Sequence, residues 1–222
     1  MSLTERVRKA NMLLVLCRVL ISTCLAGFSC ASDDYPWLTD LDSGPGVKAS
    51  GLRLMNLNPG LHPLERTTAH VNKLLIGVHG FGSKGYEWIY PLQTLDDENT
   101  LTFFHRWNTF QCTNNASAEM ALLLRTLLTT HTHVESIEII GHSYGGLVAV
   151  SFIAHWGQEV PIQIHTVAAP LAGTGSGCDN TLPRVLPSNI EVTQWRTIHA
   201  LDNAFKDWPT DPQIAEIPGS LV

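Results

Sequence analysis

The feature that most constrains the fold is a serine between two apolar segments in residues 136–156, SIEIIGHSYGGLVAVSFIAHW. The segment before the serine, 136–140, is rich in β-branched residues and is typical of a buried parallel strand. The segment after it has apolar residues at helical spacing, which predicts a helix from near Tyr144 to about Trp156. Ser143 therefore lies in a sharp turn from a strand to a helix.

The turn has the pattern Gly-x-Ser-x-Gly, with Gly141 and Gly145 on either side of the serine. Such a turn brings neighbouring backbone close to the serine, so residues without a side chain are needed there. The turn raises the hydroxyl of Ser143 above the sheet. The first N–H groups of the following helix then point toward any negative charge that develops beside it. This arrangement is typical of a nucleophilic serine.

A second motif occurs earlier, in residues 73–82, KLLIGVHGFG, where another buried strand ends in the sequence HGFG. In enzymes with a serine turn of this kind, the loop after such a strand supplies a backbone N–H that stabilises the oxyanion. The predicted donors are the N–H groups of Phe81 and Tyr144. His79 is expected to shape the loop through hydrogen bonds of its ring, and His142 to pack beside the serine.

With the motifs GVHGFG and GHSYGG, the sequence resembles lipase-like α/β-hydrolases. It is most similar to small bacterial lipases and to the hydrolase domain of GPI inositol-deacylases. The resemblance covers roughly residues 70–210. It implies the α/β-hydrolase fold and carboxylic-ester hydrolysis through an acyl-enzyme on Ser143, with no metal or other cofactor. These motifs are specific to the superfamily and do not define the substrate.

The rest of the chain alternates between predicted strands and helices. Further strands are predicted in residues 51–58, 100–110, 161–173 and 190–202. Helices are predicted in residues 83–95 and 115–130, the second capped by Asn115 or Ser117. This alternation predicts a mostly parallel sheet with helices on both faces, in one α/β domain that spans residues 32–222.

The N-terminal segment differs from this domain. Basic residues at positions 6, 8 and 9 precede the apolar stretch MLLVLCRVLISTCLAGFSC, and small residues follow up to Ala31. This pattern predicts a signal peptide, residues 1–31, and hence export to the periplasm or the medium. Arg18 interrupts the apolar stretch, so an uncleaved membrane anchor and a wrongly assigned start are the alternatives.

Net charge and cysteine content indicate which partners, disulfides and metal sites to expect. The net charge of −6, without a basic stripe, gives no reason to expect a nucleic-acid partner. Beyond residue 31 only Cys112 and Cys178 remain. In an oxidising compartment they suggest one disulfide, and two unrelated buried thiols are the alternative. The cysteine spacing fits no zinc site, and no metal is predicted.

A nucleophilic serine needs a histidine base that is oriented by a carboxylate. In this fold the chain order is serine, acid, histidine. Asp202, directly after the segment RTIHAL, is the first candidate for the acid, ahead of Asp207 and Asp179.

All ten histidines lie at or before His199, so none follows Asp202. One hypothesis is that the sequence is truncated before its catalytic histidine. A second is that His199 substitutes, because it shares a strand end with Asp202. A third is that the fold has lost its chemistry.

The function predicted from these features is hydrolysis of a lipid or a small acyl ester. The six tryptophans are expected mainly in the core, and Trp88 and Trp107, near predicted strand ends, are the candidates for lining an acyl pocket. The alternatives are a catalytically inactive binding or interaction protein on the same scaffold, and an acyltransferase that uses the same residues.

Overall fold

Strands and helices alternate along the chain, as the sequence predicts. The computed structural model describes residues 35–66, 71–173 and 182–222. The chain divides into two compact units, Met1–Tyr35 and Pro36–Val222, and all elements below belong to the second. The predicted segment 1–31, Asp179 and Cys178 lie outside the described residues.

Six strands form one mixed sheet in the order β1-β3-β2-β4-β5-β6. Strands β2 to β6 are parallel to their neighbours, and β1 is an antiparallel edge strand beside β3. This is the α/β-hydrolase type of sheet that the sequence predicts. The strands are β1 Gly60–Pro63, β2 Lys73–Val78, β3 Thr100–Arg106, β4 Ser136–His142, β5 Ile162–Val167 and β6 Ile190–Trp195.

The described residues contain four α-helices, of which the first precedes β1 and the other three connect strands β2 to β5. They are α1 Val47–Met55, α2 Tyr86–Leu95, α3 Thr113–Thr130 and α4 Tyr144–Ser151. A 3-10 turn, Phe152–His155, continues α4, so the helix predicted to reach Trp156 tightens in its last turn. Further 3-10 turns are Leu38–Asp40 and His199–Leu201.

Two apolar cores lie on the two faces of the sheet. The larger core joins β2 to β6 with α3 and α4, and includes Ile76, Ile139 and Leu124. The smaller core lies on the opposite face, where Leu75 and Phe104 pack against α1 and α2. Because side chains alternate along a strand, the β-branched and aromatic residues of one strand contribute to both cores.

Two predictions for the first half of the chain are wrong. Residues 51–58 are not a strand, because most of this stretch lies in α1 and its buried residues follow helical spacing, with Ser50, Gly51 and Leu54 buried and Leu52 exposed. The first strand is instead Gly60–Pro63. The helix predicted over 115–130 begins earlier, with Cys112 at its N-cap and no side-chain cap.

Cys112 is disulfide-bonded. The other four cysteines of the sequence lie outside the described residues, so the pairing with Cys178 stays a prediction. Within residues 35–66, 71–173 and 182–222, none of the helices has both the length and the apolar character needed to cross a bilayer.

Candidate active site

Ser143 occupies the strained turn between β4 and α4. Its backbone has φ 52° and ψ −123°, outside the regions that residues with a side chain usually adopt. Strain of this kind costs about 1–3 kcal/mol and persists only where surrounding contacts fix it. Here the Ser143 N–H donates to the Val167 carbonyl at 2.8 Å, and the Gly146 N–H donates to the Ser143 carbonyl at 2.9 Å.

Glycines allow the turn to pack against the ends of two other strands. A Cβ at Gly145 would lie 2.0 Å from the Val78 carbonyl oxygen, and one at Gly141 would lie 2.4 Å from the Gly145 carbonyl oxygen. A Cβ at Gly80 would lie 3.0 Å from the Cβ of Ser143. The HGFG loop therefore lies directly against the serine, as the two motifs predict.

His79 holds the HGFG loop in place and is fully buried. Its Nδ1 lies 2.9 Å from the Gly80 carbonyl oxygen, and its Nε2 accepts from Arg106 at 3.1 Å and from the Trp107 N–H at 3.3 Å. Burial lowers the pKa of His79 to about 4, so the ring is neutral at physiological pH. These contacts support the predicted shaping of the loop by His79.

The two predicted oxyanion donors lie on adjacent segments. The rings of Phe81 and Tyr144 have centroids 5.9 Å apart. Tyr144 is the first residue of α4, where a helical N–H has no intrahelical partner. Neither N–H donates to a backbone carbonyl of the described residues. Their role as oxyanion donors stays a prediction.

Asp202 is held in a defined orientation. Its two carboxylate oxygens accept the Thr197 hydroxyl at 2.5 Å and the Ala204 N–H at 2.8 Å. Thr197 is itself bound through its N–H by the side chain of Gln213, which is buried. The runner-up, Asp207, is exposed. Sequence reasoning did not identify Thr197 or Gln213, because their role depends on contacts between distant loops.

His142 directly precedes the serine, and its ring is influenced by two acidic side chains, one on α2 and one after β6. Burial lowers the pKa of its ring, whereas the carboxylates of Glu87 and Asp202 act in the opposite direction. Its Nδ1 is buried and has no hydrogen-bond partner. The same Nδ1 lies 3.5 Å from the position of a Cβ on Gly80, so His142 is near both the serine and the HGFG loop.

Among the described residues, His199 is not hydrogen-bonded to the serine. It begins the last 3-10 turn, and its Nε2 lies 2.7 Å from the Phe205 carbonyl oxygen. Among the hydrogen bonds of the described residues, none joins the hydroxyl of Ser143 to a histidine. The assignment of His199 as base and of Asp202 as acid stays a prediction.

Of the two tryptophans considered for an acyl pocket, Trp88 lines a cavity and Trp107 is buried. Trp107 is 1% exposed, and its indole N–H donates to the His79 carbonyl at 2.7 Å, so it stabilises the HGFG loop. Trp88 lines a cavity of about 530 Å³ that also includes His142. Within the described residues, no group of three or more His, Cys, Asp or Glu side chains is arranged to bind a metal.

The sequence matches one family model. Residues 94–203 match the PGAP1-like alpha/beta domain. The matched range includes Ser143, Tyr144 and Asp202 and lies C-terminal to the HGFG loop. No curated protein matches the sequence.

Two hydrolases are among the solved structures that align with this chain. Lipase BlEst2 of Bacillus licheniformis in its mature form aligns with 15% identity and a TM-score of 0.40, over 54% of this chain and 51% of that one. An α/β serine hydrolase without a lid from Xanthomonas campestris aligns with 14% identity and a TM-score of 0.41, over 60% of this chain and 63% of that one. This chain thus spans about half to two thirds of the length of these structures.

Proposed function

We propose that this chain, whose sheet and serine turn resemble those of lipase-like α/β-hydrolases, is a serine hydrolase of carboxylic esters. The observation that carries the proposal is the backbone of Ser143, with φ 52° and ψ −123° at the start of α4. A strained serine of this kind, next to two N–H groups that have no backbone acceptor, is the arrangement that acyl transfer requires.

In the proposed mechanism, the Ser143 hydroxyl attacks the ester carbonyl and transfers its proton to a base. The N–H groups of Phe81 and Tyr144 stabilise the oxyanion, each contributing about 3 kcal/mol to lowering the barrier. The alcohol leaves with a proton from the same base. Water then attacks the acyl-enzyme and releases the acid. No cofactor takes part in these steps.

Two histidines of the described residues are candidates for the base. His199 shares a loop with Asp202, and its Nε2 would have to leave the Phe205 carbonyl. His142 has an unpartnered Nδ1; burial lowers the pKa of its ring, and the charges of Glu87 and Asp202 act in the opposite direction. Replacement of each by Gln separates the two, because only loss of the base removes the limb of the pH profile that reports its ionisation.

The alternative proposal is an inactive binding or interaction protein with the same fold. The absence of a hydrogen bond from Ser143 to any histidine of the described residues favours it. Acyl transfer to an acceptor other than water uses the same residues as hydrolysis. Export through residues 1–31 is a further part of our proposal and places the reaction outside the cytoplasm.

The test is hydrolysis of p-nitrophenyl butyrate by the wild-type chain and its Ser143→Ala variant. Ser136→Ala, at the other end of β4, is the matched control. We expect turnover that is unchanged in Ser136→Ala and lost in Ser143→Ala. Equal turnover in the wild type and Ser143→Ala would refute the proposed nucleophile. A folded wild-type chain with no turnover would favour the binding protein.

A further inference from the structure

A buried glutamine lies against the loop that carries Asp202, here called the acid loop, residues 196–204. The two large apolar side chains of the loop, Ile198 and Leu201, are mostly exposed, so apolar packing does little to fix its conformation. Gln213, by contrast, is 1% exposed. Burial of an amide is unfavourable unless its oxygen and nitrogen have hydrogen-bond partners. The partners of Gln213 therefore indicate its role.

Within the described residues, the hydrogen bonds of the Gln213 side chain go to Thr197 and Asp211. Its Oε1 accepts the Thr197 N–H at 2.9 Å. Its Nε2 donates to Asp211 Oδ1 at 3.2 Å and to the Thr197 carbonyl at 3.4 Å. One side-chain amide thus binds both the N–H and the carbonyl of Thr197. Gln213 fixes the main chain of the acid loop at this residue.

The hydroxyl of Thr197 links this contact to Asp202. It lies 2.5 Å from Asp202 Oδ2 and 3.2 Å from Gln213 Oε1. A hydroxyl has one proton, and the charged acceptor at the shorter distance forms the stronger bond, so Thr197 donates to the carboxylate. The other oxygen, Oδ1, accepts the Ala204 N–H at 2.8 Å. Because a carboxylate has about four acceptor positions, Asp202 can still accept the N–H of a base.

The segment around Gln213 is also bound outside the acid loop. Its neighbour Pro212 is buried, and the Pro212 carbonyl accepts the Ala172 N–H at 2.8 Å. Ala172 lies in the loop after β5, and the last residue of β5, Val167, accepts the N–H of Ser143 at 2.8 Å. The segment therefore connects the loop after β5, next to the serine, with the acid loop after β6.

We propose that Gln213 is a positioning residue that orients the carboxylate of Asp202 through Thr197. The inference rests on the proposed function, in which Asp202 is the acid. Orientation matters because a displacement of about 1 Å in a catalytic group can lower the rate about 100-fold. A leucine at position 213 has a similar size and suits a buried site, but it would leave the Thr197 N–H and carbonyl without this partner. The acid loop thus explains a polar residue at this buried position.

The first experiment measures kcat and KM of Gln213→Leu for p-nitrophenyl butyrate. Gln194→Leu is the matched control, because Gln194 is a glutamine of β6 that is 3% exposed and bonds to Ser220 and Arg196. We expect kcat to fall about 10- to 100-fold in Gln213→Leu, with little change in KM. The control is expected to keep the wild-type kcat. Equal losses in the two variants would show a general effect on stability and overturn the inference.

Thr197 provides a second test at an exposed position, where substitution does not disturb the core. Thr197→Val removes the hydroxyl at nearly unchanged shape, whereas Thr197→Ser keeps it. We expect Thr197→Val to lower kcat about as much as Gln213→Leu, and Thr197→Ser to restore it. The double variant Gln213→Leu/Thr197→Val is expected to lose no more than either single variant, because both act on the same carboxylate. Additive losses would contradict the inference.

Hydrogen exchange, measured by NMR spectroscopy, tests the orientation without turnover. The Ala204 N–H bonds to Asp202 rather than to Gln213, so its exchange reports on the carboxylate. We expect Ala204 to exchange at least about tenfold faster in Gln213→Leu and at the wild-type rate in Gln194→Leu. Unchanged exchange at Ala204 in Gln213→Leu would overturn the inference and leave the hydrolase proposal intact. A folded wild type without turnover would refute the proposed function, whereas faster exchange at Ala204 would still support the orientation of Asp202 by Gln213.

Discussion

Replacement of Gly145 by alanine tests how closely the serine turn packs against β2. The new Cβ would lie 2.0 Å from the Val78 carbonyl oxygen and 2.7 Å from the His79 carbonyl oxygen. Ordinary contacts of a Cβ are 3.4–4 Å, so the start of α4 would have to move by more than 1 Å. Both obstacles are backbone atoms at the end of a central strand and cannot rotate away.

The expected loss of stability follows from these contacts. Overpacking of a well-packed core costs about 1–3 kcal/mol, and rigid backbone obstacles place Gly145→Ala at the upper end. The higher helix propensity of alanine offsets up to about 1 kcal/mol of this loss in the free energy of unfolding. A net loss of about 2 kcal/mol lowers Tm by about 4–8 °C for a domain of this size. Turnover is expected to fall at least about 100-fold, because the nucleophile is displaced by about 1 Å.

The assay is urea denaturation of the wild type, Gly145→Ala and the control Gly157→Ala. Gly157 is exposed, and no atom lies within 4 Å of its Cβ position, so the control is expected to stay within about 0.5 kcal/mol of the wild type. A lower midpoint with an unchanged m-value in Gly145→Ala alone supports the packing. Equal stability of the two variants would refute the reasoning.

Two further predictions concern titration and the acid. Burial lowers the pKa of His79 to about 4, below its unfolded value of about 6.5. The unfolded chain therefore binds a proton more readily than the folded protein, and the stability that the neutral ring contributes above about pH 6.5 is lost as the pH falls toward 4. Urea denaturation at each pH measures the free energy of unfolding. Between pH 7 and pH 4 this free energy is expected to fall by about 3 kcal/mol less in His79→Asn than in the wild type. Equal falls in the two proteins would contradict the prediction. Asp202→Asn is expected to lower kcat/KM by at least about 100-fold, whereas Asp207→Asn, at an exposed position, is expected to keep the wild-type value. A large loss in Asp207→Asn and none in Asp202→Asn would assign the acid to Asp207 instead.

The sequence predicts the centre of the sheet well because local and tertiary preferences agree there. In β4 the β-branched residues favour a strand, and the strand also needs to be apolar on both faces. The Gly-x-Ser-x-Gly and HGFG motifs place Ser143 and Phe81 correctly at adjacent strand ends, since only glycine fits the contacts at Gly145 and Gly80. Here sterics at a few positions define the local structure.

Prediction fails where the pattern is short or depends on distant contacts. Residues 51–58 alternate in a way that resembles a strand, but burial in α1 follows helical spacing because Gly51 packs against the backbone of Tyr86. The strand Gly60–Pro63 has only four residues, all half-buried, and carries little signal of its own. The cavity beside Trp88 and the hydrogen bonds that orient Asp202 result from tertiary packing and have no local pattern.

The most direct test of the central claim is covalent labelling of the serine. The wild-type chain and Ser143→Ala are incubated with a fluorophosphonate, which phosphonylates an activated serine with loss of fluoride, and the labelled peptides are mapped by mass spectrometry. We predict a single adduct on the peptide that contains Ser143 and no adduct in the variant. A folded wild-type chain that takes up no label, or a label that persists in Ser143→Ala, would contradict the assignment of Ser143 as the nucleophile.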